Sequence, residues 1–319
     1  MKTKIPKISV IIPAHNEEGD IARALDSVIL NNYDSKEIIV VNDGSTDKTE
    51  EIAKKYSMNH KFIKLINYKE GHSAAFARNR GAEKAKGDIL VFLDADTSIN
   101  SEFLKIISED FDKFEIQGIG NPKRNSYTNL LSRLVALLAR PPKGVQERSK
   151  KRVVSKYIGF NTFIISRKIF LDIGKYDEKI FYYEDEDLSR KFFKYGNKGL
   201  WEPKALFYSY QPSSWRDVYR QCAWSGKGIA NMVELPRKMK EIGYSLFKLL
   251  FIISPFIVLF FDKFLGLGLI SLAYILTYFY ALRSSKELFY SILMVPLMYL
   301  RNIFEFYAIF KFLILGLKK

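Results

Sequence analysis

The sequence predicts an α/β protein in which a mostly parallel sheet carries helices on both faces, followed by C-terminal transmembrane helices. Three observations predict it. Apolar runs of strand length alternate with segments of helical period through the first 240 residues. Those runs are continuously apolar rather than alternating, the pattern of strands buried on both faces of a parallel sheet. From Leu249 onward the chain becomes largely apolar and aromatic.

The elements follow in order. "KISVIIP" reads as a strand, and Asp20 is placed to cap a helix running through Leu30. "EIIVVND" is the second strand, and "STDKTEEIAKKY" carries the Ser/Thr-x-x-Asp/Glu spacing of a helix start. "KFIKLIN", "SAAFARNRGAEKA" and "DILVFLD" continue the alternation as strand, helix and strand. Three of these four strands end in polar residues: Asn16 and Glu17 after the first, Asp43 and Gly44 after the second, Asp94 and Asp96 after the fourth. Ligands of such sheets sit beyond the carboxyl ends of the strands, so these side chains predict one acidic edge.

The C-terminal region is read by length. Phe264 to Leu282 holds 19 residues without a charge, close to the ~20 that cross a bilayer core. Its predecessor, "LLFIISPFIVLFF", is shorter, and Tyr244 and Lys248 extend it by placing polar ends at the interface. A hairpin over about 244–282 follows, turning at Asp262 and Lys263. The further hydrophobic segment, 288–317, is interrupted by Arg301, Asn302, Glu305 and Lys311 and fits either two short spans or helices lying in the interface. The expected organisation is a catalytic domain over 1–235 and a membrane region over 236–319. Arg283 and Lys286 follow the second span, which by the positive-inside rule places that loop and the N-terminal domain in the cytoplasm of a multi-pass membrane protein. The start, "MKTKIPKISVIIPAHNEE", has an apolar run too short for a cleavable signal.

Charge and composition narrow the chemistry. Fifty Lys and Arg against 35 Asp and Glu give a net charge of +15, which calls for an anionic partner. Nucleic acid satisfies the charge but not the membrane segments, so lipid and phosphorylated substrates remain. A basic run from Arg133 to Lys156, including Arg140, Lys143, Arg148, Lys150, Lys151 and Arg152, follows the apolar "NLLSRLVALLAR" and is either a surface on anionic lipid or a solvated loop after a core helix. A single cysteine, Cys222, excludes an intramolecular disulfide, and with three histidines any metal chemistry would rest on oxygen ligands.

Two acidic motifs bear chemistry. In "VFLDADTSIN", Asp94 and Asp96 end an apolar strand one residue apart, around Ala95. Like charges so placed repel unless a cation joins them, and oxygen ligation favours a divalent cation, Mg²⁺ or Mn²⁺, shared with nucleotide phosphates. In "YYEDEDLSRKF", Glu184, Asp185, Glu186 and Asp187 open a helix. The helix dipole favours acids there, but four in a row exceed capping needs, and mutual repulsion predicts a raised pKa and hence a candidate general base.

In order, "VIIPAHNEE", "VVNDGSTDKT", "ARNRGAEKAKGDILVFLDAD", "GFNTFIISRKIFLDIGKYDE" and "YYEDEDLSRKFFKYG" resemble the motifs of family 2 glycosyltransferases, inverting enzymes of the GT-A fold. The resemblance covers about Ile8 to Gly228. It implies a nucleotide-diphosphate sugar donor, with Pro13, Ala14, Asn16 and Glu17 lining the nucleotide pocket and Asp43 accepting hydrogen bonds from the nucleobase. Arg78 would lie near the diphosphate, and Asp94, Ala95 and Asp96 would form the D-x-D segment, its aspartates serving the ribose and the metal. Asp185 would be the base that deprotonates the acceptor, with Glu184 beside the acceptor.

The chain also departs from the family pattern. His15 stands where tyrosine is frequent, and Tyr208 and Tyr210 occupy the region where many members have a metal-binding histidine. "RQCAWSGKG" keeps only Gln221 and Trp224 of the Q-x-x-R-W motif of processive synthases, so transfer of one sugar per event is expected. Trp224 is either an acceptor-stacking or a buried structural residue. The acceptor is expected at the membrane, as a hydroxyl of a lipid-linked saccharide or glycolipid. An intact "EDEDL" favours this, because a polyprenyl phosphate, the alternative acceptor, is already ionised and needs no base. "TSINSE" also lacks the continuation associated with polyprenyl-phosphate sugar synthases. A more remote alternative is a non-catalytic membrane-anchored nucleotide-sugar binding protein, although no acidic motif residue is lost. A nucleotidyltransferase would require a Gly-rich basic loop after the first strand, where "PAHNEEGD" is acidic.

Overall fold

The structure, a computed structural model, describes residues 5–138, 151–155, 158, 162–181, 183–230, 235–285 and 288–314. The chain forms two compact units, Met1–Arg124 with Pro141–Tyr210, and Asn125–Arg140 with Gln211–Lys319. This partition differs from a single boundary near residue 235. It groups residues 125–138 and 211–230 with the C-terminal helices, where Leu134, Val135, Leu137, Val218 and Cys222 pack.

The first unit opens with β1 (Ile8–Ala14), α1 (Ile21–Ile29), β2 (Lys36–Asp43), α2 (Thr49–Asn59), β3 (Ile63–Tyr68), α3 (Ala74–Lys84) and β4 (Ile89–Leu93). It continues through β5 (Thr97–Ile99), α4 (Phe103–Lys113), β6 (Gly118–Gly120) and β7 (Lys123–Ser126). After α5 (Leu130–Leu138), which belongs to the second unit, come β8 (Val153–Ser155), β9 (Thr162–Ser166), α6 (Arg167–Asp172), α7 (Glu184–Lys194), β10 (Gly199–Trp201) and β11 (Phe207–Tyr210). The main sheet has the order β3-β2-β1-β4-β9-β6-β10-β8, and a small sheet the order β5-β11-β7. β3, β2, β1 and β4 pair in parallel, as the alternation of apolar runs and helices predicts. Beyond β4 the sheet is mixed: β9 is antiparallel to β4 and β6, and β8 to β10.

Period-two side chains feed two cores. Val10, Ile12, Val40 and Val91 join one, while Ile11, Ile39, Val41 and Phe92 join the other, so each strand is buried on both faces. Gly81 lets α3 lie on the second face, since a Cβ there would come within 2.4 Å of Ile11 Cγ2. Some local expectations shift. Asp20 makes no side-chain cap and instead accepts from Arg23. α2 begins at Thr49 behind Asp47, whose Oδ1 accepts from Thr49 N at 3.0 Å, while Ser45 Oγ is taken by Asn16 N.

The second unit holds α5, α8 (Trp215–Ala230), α9 (Leu235–Phe261), α10 (Lys263–Ser285) and α11 (Leu288–Ile314). Leu134, Val135 and Leu137 of α5 share one core with Val218 and Cys222 of α8, Ala281 of α10, and Met294 and Leu297 of α11. Three stretches, Pro236–Phe261, Lys263–Arg283 and Phe289–Leu313, are long and apolar enough to cross a membrane. Phe260, Phe261 and Phe264 are more than four-fifths exposed, a placement that bulk water disfavours. The segment left open by the sequence forms one helix, α11, because its charges are satisfied sideways. Glu305 accepts from Ser245 Oγ at 2.6 Å and Lys248 Nζ at 3.0 Å, and Arg301 donates to Gln221 Oε1 at 3.2 Å.

At the α9–α10 turn Asp262 Oδ1 accepts from Leu265 N, and a Cβ on Gly266 would lie 2.2 Å from Leu259 Cα. Gly266→Ala is therefore expected to prise the hairpin apart, costing about 1–3 kcal/mol by overpacking. A lowered thermal midpoint of the detergent-purified chain would record it, and Gly268→Ala, where a Cβ meets open space, should not.

Of the basic run, residues 139–150 and 156 lie outside the described residues. Arg152 is not directed to lipid: it pairs with the buried Asp110 at 3.0 Å and with Glu202. Burial, reinforced by Glu202, pushes the Asp110 carboxyl up to about 7, and the Arg152 guanidinium opposes that rise.

Candidate active site

β4 ends at Leu93, and Asp94 enters a turn in which its carbonyl accepts from Thr97 N at 3.0 Å and Thr97 Oγ1 at 2.7 Å. Ala95 is buried between the two aspartates. Asp94 finds its cation inside the protein, since Arg78 Nη2 donates to its Oδ1 at 2.8 Å. Asp96 has no such partner at Oδ1, a buried oxygen without a hydrogen bond. Burial, then the charge of Asp94, pushes its carboxyl up to about 6, against the pull of Lys123 and Arg23. Lys123 is itself shifted down by burial, which outweighs the two aspartates.

Arg78 organises the site. Only 5% exposed, it donates from Nη1 to Glu184 Oε1 at 2.8 Å and lies 4.0 Å from Asp185 Oδ1. The sequence placed it beside a diphosphate; the structure sets it among three carboxylates that would otherwise repel one another. Its neighbour Asn79 pins the following loop, donating to Tyr176 O at 3.0 Å and Glu178 Oε1 at 2.9 Å while accepting from Tyr176 N at 3.1 Å. "ARNRG" is thus a positioning device in which Arg78 gathers the acids, Asn79 fixes the 176–178 loop, and Gly81 seats the helix.

The acidic cluster starts α7 from Tyr183, whose φ of 69° is left-handed. Its four acids divide. Glu184 and Asp185 face Arg78, Asp187 pairs with Arg190 and Lys191 at 2.7 and 2.8 Å, and Glu186 is exposed. Burial pushes the Asp185 carboxyl up to about 6; Arg78 opposes the shift, and Glu184 and Asp94 add to it. The buried Tyr176 hydroxyl lies near Asp185 without a hydrogen bond of normal geometry. Trp224 belongs to the second unit, where it stands on α8 at 59% exposure, which removes the buried structural reading.

The other predicted residues gather at the ends of β1 and β2. Pro13 and Ala14 close β1 beside Val41 and Asn42. Asn16, at φ 59°, accepts at Oδ1 from Thr46 N at 2.8 Å, and Glu17 N donates to Thr49 Oγ1 at 2.7 Å. Asp43, expected to face a nucleobase, is 5% exposed, and both of its oxygens are engaged by His72: Oδ2 accepts from His72 N at 2.8 Å and Oδ1 meets Nδ1 at 2.9 Å. The His72 ring stacks on Phe76 at 4.0 Å, and His15 Nδ1 contacts Asp43 O at 2.7 Å. His72, Lys123 and Tyr176 were not singled out from sequence. The "GKYDE" run already contains Tyr176, whereas nothing local marks Lys123.

Among the described residues no three His, Cys, Asp or Glu side chains converge to hold a metal alone. The donor set nevertheless fits Mg²⁺ or Mn²⁺, which bind through one or two carboxylates and complete their shells with phosphate and water. The unpartnered Oδ1 of Asp96 is the oxygen placed for it.

The chain resembles known proteins in sequence and in fold. The profile described as "Glycosyl transferase family 2" matches residues 9–174, just over half of the chain. The chain is 28% identical over 221 residues to the poly-beta-1,6-N-acetyl-D-glucosamine synthase of Staphylococcus epidermidis, covering 68% of this chain and 53% of that protein. It is 27% identical over 305 residues to the probable glycosyltransferase YdaM of Bacillus subtilis, covering 88% of this chain and 69% of that one. The chain thus spans about half the length of the first of these relatives. Among solved structures, S. aureus TarS 1-349 in complex with UDP-GlcNAc aligns with a TM-score of 0.55 at 23% identity, over 73% of this chain and 69% of that one. The mannosyltransferase PcManGT from Pyrobaculum calidifontis, in complex with GDP-Man and Mn²⁺, aligns with a TM-score of 0.57 at 16% identity, over 99% of this chain and 89% of that one. At these identities the structures establish the shared GT-A fold, and the profile match over the segment that carries Asp43, Arg78, Asp94 and Asp96 makes this chain a member of glycosyltransferase family 2.

Proposed function

We propose that the chain transfers one sugar from a nucleoside-diphosphate sugar to a hydroxyl of a lipid-linked saccharide or glycolipid, with inversion at the anomeric carbon. The observation that carries this reading is the array Arg78, Asp94, Glu184 and Asp185, in which a carboxyl pushed up to about 6 lies against a buried guanidinium. Asp185 accepts the proton of the acceptor hydroxyl as oxygen attacks the sugar. Its pKa lies close enough to neutrality for it to be ionised at pH 7 and still basic enough to help. Glu184 holds Arg78 through Nη1 and Asp94 holds it through Nη2, which fixes the guanidinium beside Asp185. Asp96, with Asp94, would hold Mg²⁺ or Mn²⁺, which when bound neutralises charge on the leaving diphosphate. Pro13, Ala14, Asn16, Glu17 and the Asp43–His72 pair form the nucleotide edge.

UDP-GlcNAc and GDP-Man in the structural neighbours support a nucleotide-sugar donor, and Mn²⁺ in one of them supports the divalent ion. Three helices long and apolar enough to cross a membrane support a multi-pass membrane protein, and Arg283 and Lys286 after the second of them support a cytoplasmic catalytic unit. Asp96→Ala is expected to remove metal-dependent binding of UDP or GDP while leaving the melting temperature without nucleotide within a few degrees. Titration calorimetry with Mn²⁺ reads this, and an unchanged isotherm for both nucleotides counts against the assignment. The reaction itself is tested by incubating the chain in its native membranes with radiolabelled UDP- and GDP-sugars. A labelled lipid-extractable product with inverted anomeric configuration is expected, and label released only as free sugar contradicts it.

A second reading, repeated addition to a growing polymer, is favoured by the Arg301–Gln221 contact, which supplies from α11 a guanidinium missing from the α8 motif. Product length separates the two.

A further inference from the structure

We propose that His72, rather than Asp43, reads the nucleobase of the sugar donor, accepting a ring N–H of the base at Nε2. Asp43 is covered by this residue: its Oδ2 accepts from His72 N at 2.8 Å, and its Oδ1 meets His72 Nδ1 at 2.9 Å. A carboxylate only accepts, so Nδ1 carries the ring proton, and in the neutral imidazole Nε2 is left as an acceptor. The pair thus moves the acceptor that Asp43 would supply outward by the width of one ring. The His72 side chain is 42% exposed, against 8% for that of Asp43. Among the described residues the hydrogen bonds of His72 are the two to Asp43, so Nε2 faces no protein donor.

The ring is clamped in this pose. It stacks on Phe76 at 4.0 Å and 13°, and Tyr68 meets His72 and Phe76 edge-on, at 5.7 and 5.0 Å. Swinging the imidazole aside to bare Asp43 would break the Nδ1 contact and the stack, and would still leave Oδ2 with His72 N. The loop before the ring is equally constrained. Gly44 N donates to Tyr68 O at 3.1 Å, and a Cβ on Gly44, at φ 69°, would lie 2.4 Å from Gly71 N. Gly71 in turn lies against His15, whose Cε1 its Cβ would approach at 3.3 Å. His72 therefore stands on the same strand-end edge as His15, Asn16 and Asp43. A single acceptor nitrogen pairs with a base that presents a ring N–H, as uracil and guanine do and as cytosine and adenine do not. The inference rests on the reading of this edge as the nucleotide site and names the atom that selects the base.

The test uses the full chain purified in detergent, with Mn²⁺ and the probes UDP, GDP, N3-methyl-UDP and N1-methyl-GDP. Wild type is expected to bind at least one parent nucleotide and to lose about tenfold or more when its ring nitrogen is methylated, the worth of one buried hydrogen bond. His72→Phe keeps a ring against Phe76 but removes the nitrogens. It should lose about tenfold for the parent and bind parent and methylated nucleotide alike to within about threefold. His72→Gln can donate to Asp43 from its amide nitrogen and accept from the base at its amide oxygen, so it should lose less than His72→Phe. Thermal midpoints close to wild type show that both variants fold, and the ratio of parent to methylated affinity is read within each variant, so a partial loss of folded protein does not alter it. Parent binding in His72→Phe as tight as in wild type, or an undiminished methylation penalty in that variant, overturns the inference and leaves the nucleotide site standing. Wild-type binding indifferent to methylation overturns it as well, with no variant required. Failure of wild type to bind either parent overturns the nucleotide site, and the inference with it.

Discussion

Asp185→Asn is expected to lower transfer by about 10²–10⁴-fold, the range for loss of a positioned general base, while nucleotide binding stays near wild type. The substitution keeps the shape of the side chain and removes its basicity, so the loss should appear in kcat. Acidity gives the same residue a signature in the native protein. Its carboxyl, raised from 3.8 to about 6, becomes protonated as pH falls through that value, so turnover should decline on the acid side of about pH 6. Stability runs in the opposite direction. A carboxyl whose pKa is raised by folding favours the folded state in its neutral form, and this contribution is lost as pH rises from the ordinary value to about 6. At pH 7.5 the asparagine variant carries no charge at position 185 and should be the more stable, by an amount on the order of 1–3 kcal/mol. Single-turnover kinetics and thermal melts on the same preparation read both effects. Wild-type turnover in the variant would remove Asp185 from the chemistry.

Arg78→Gln is expected to have the largest effect on stability. Its guanidinium is buried and answers Asp94, Glu184 and Asp185. Truncating one partner of a buried charge array leaves the others unpaired, at a cost of about 3–5 kcal/mol. Urea unfolding should shift to lower midpoint, and transfer should vanish because Asp185 loses its anchor. Adding Glu184→Gln to the variant removes one stranded charge and should restore part of the stability without restoring transfer. An additive double variant, with no recovery, would show that the contacts are not energetically coupled.

What sequence conveys here follows from how local each feature is. β1, β2 and β4 are legible because strands buried on both faces must be continuously apolar, and Asp94 and Asp96 are legible because two carboxylates after such a run need an explanation. The cation that answers Asp94 is not legible, since Arg78 lies 16 residues earlier and meets Glu184 a further 106 residues on. Asp43 likewise reads as an open carboxylate until the chain returns His72 to both of its oxygens. In the second unit the uncharged stretch of α10 is evident from composition alone. The continuity of α11 is not, because Arg301 and Glu305 look like interruptions until α8 and α9 supply Gln221, Ser245 and Lys248. α5 shows the same limit: its apolar face is plain, but its packing partners, from Val218 of α8 to Leu297 of α11, lie far downstream.

The central claim is that Asp96, beside an Asp94 already answered by Arg78, takes a divalent ion only together with the diphosphate of a nucleotide. The most direct test is to measure Mn²⁺ binding to the wild-type chain by electron paramagnetic resonance, with and without UDP or GDP. The account predicts weak Mn²⁺ binding to protein alone and tight binding once one of the nucleotides is present, with phosphorus hyperfine coupling on the protein-bound ion. Equally tight Mn²⁺ binding without nucleotide, or nucleotide binding indifferent to Mn²⁺, would contradict it.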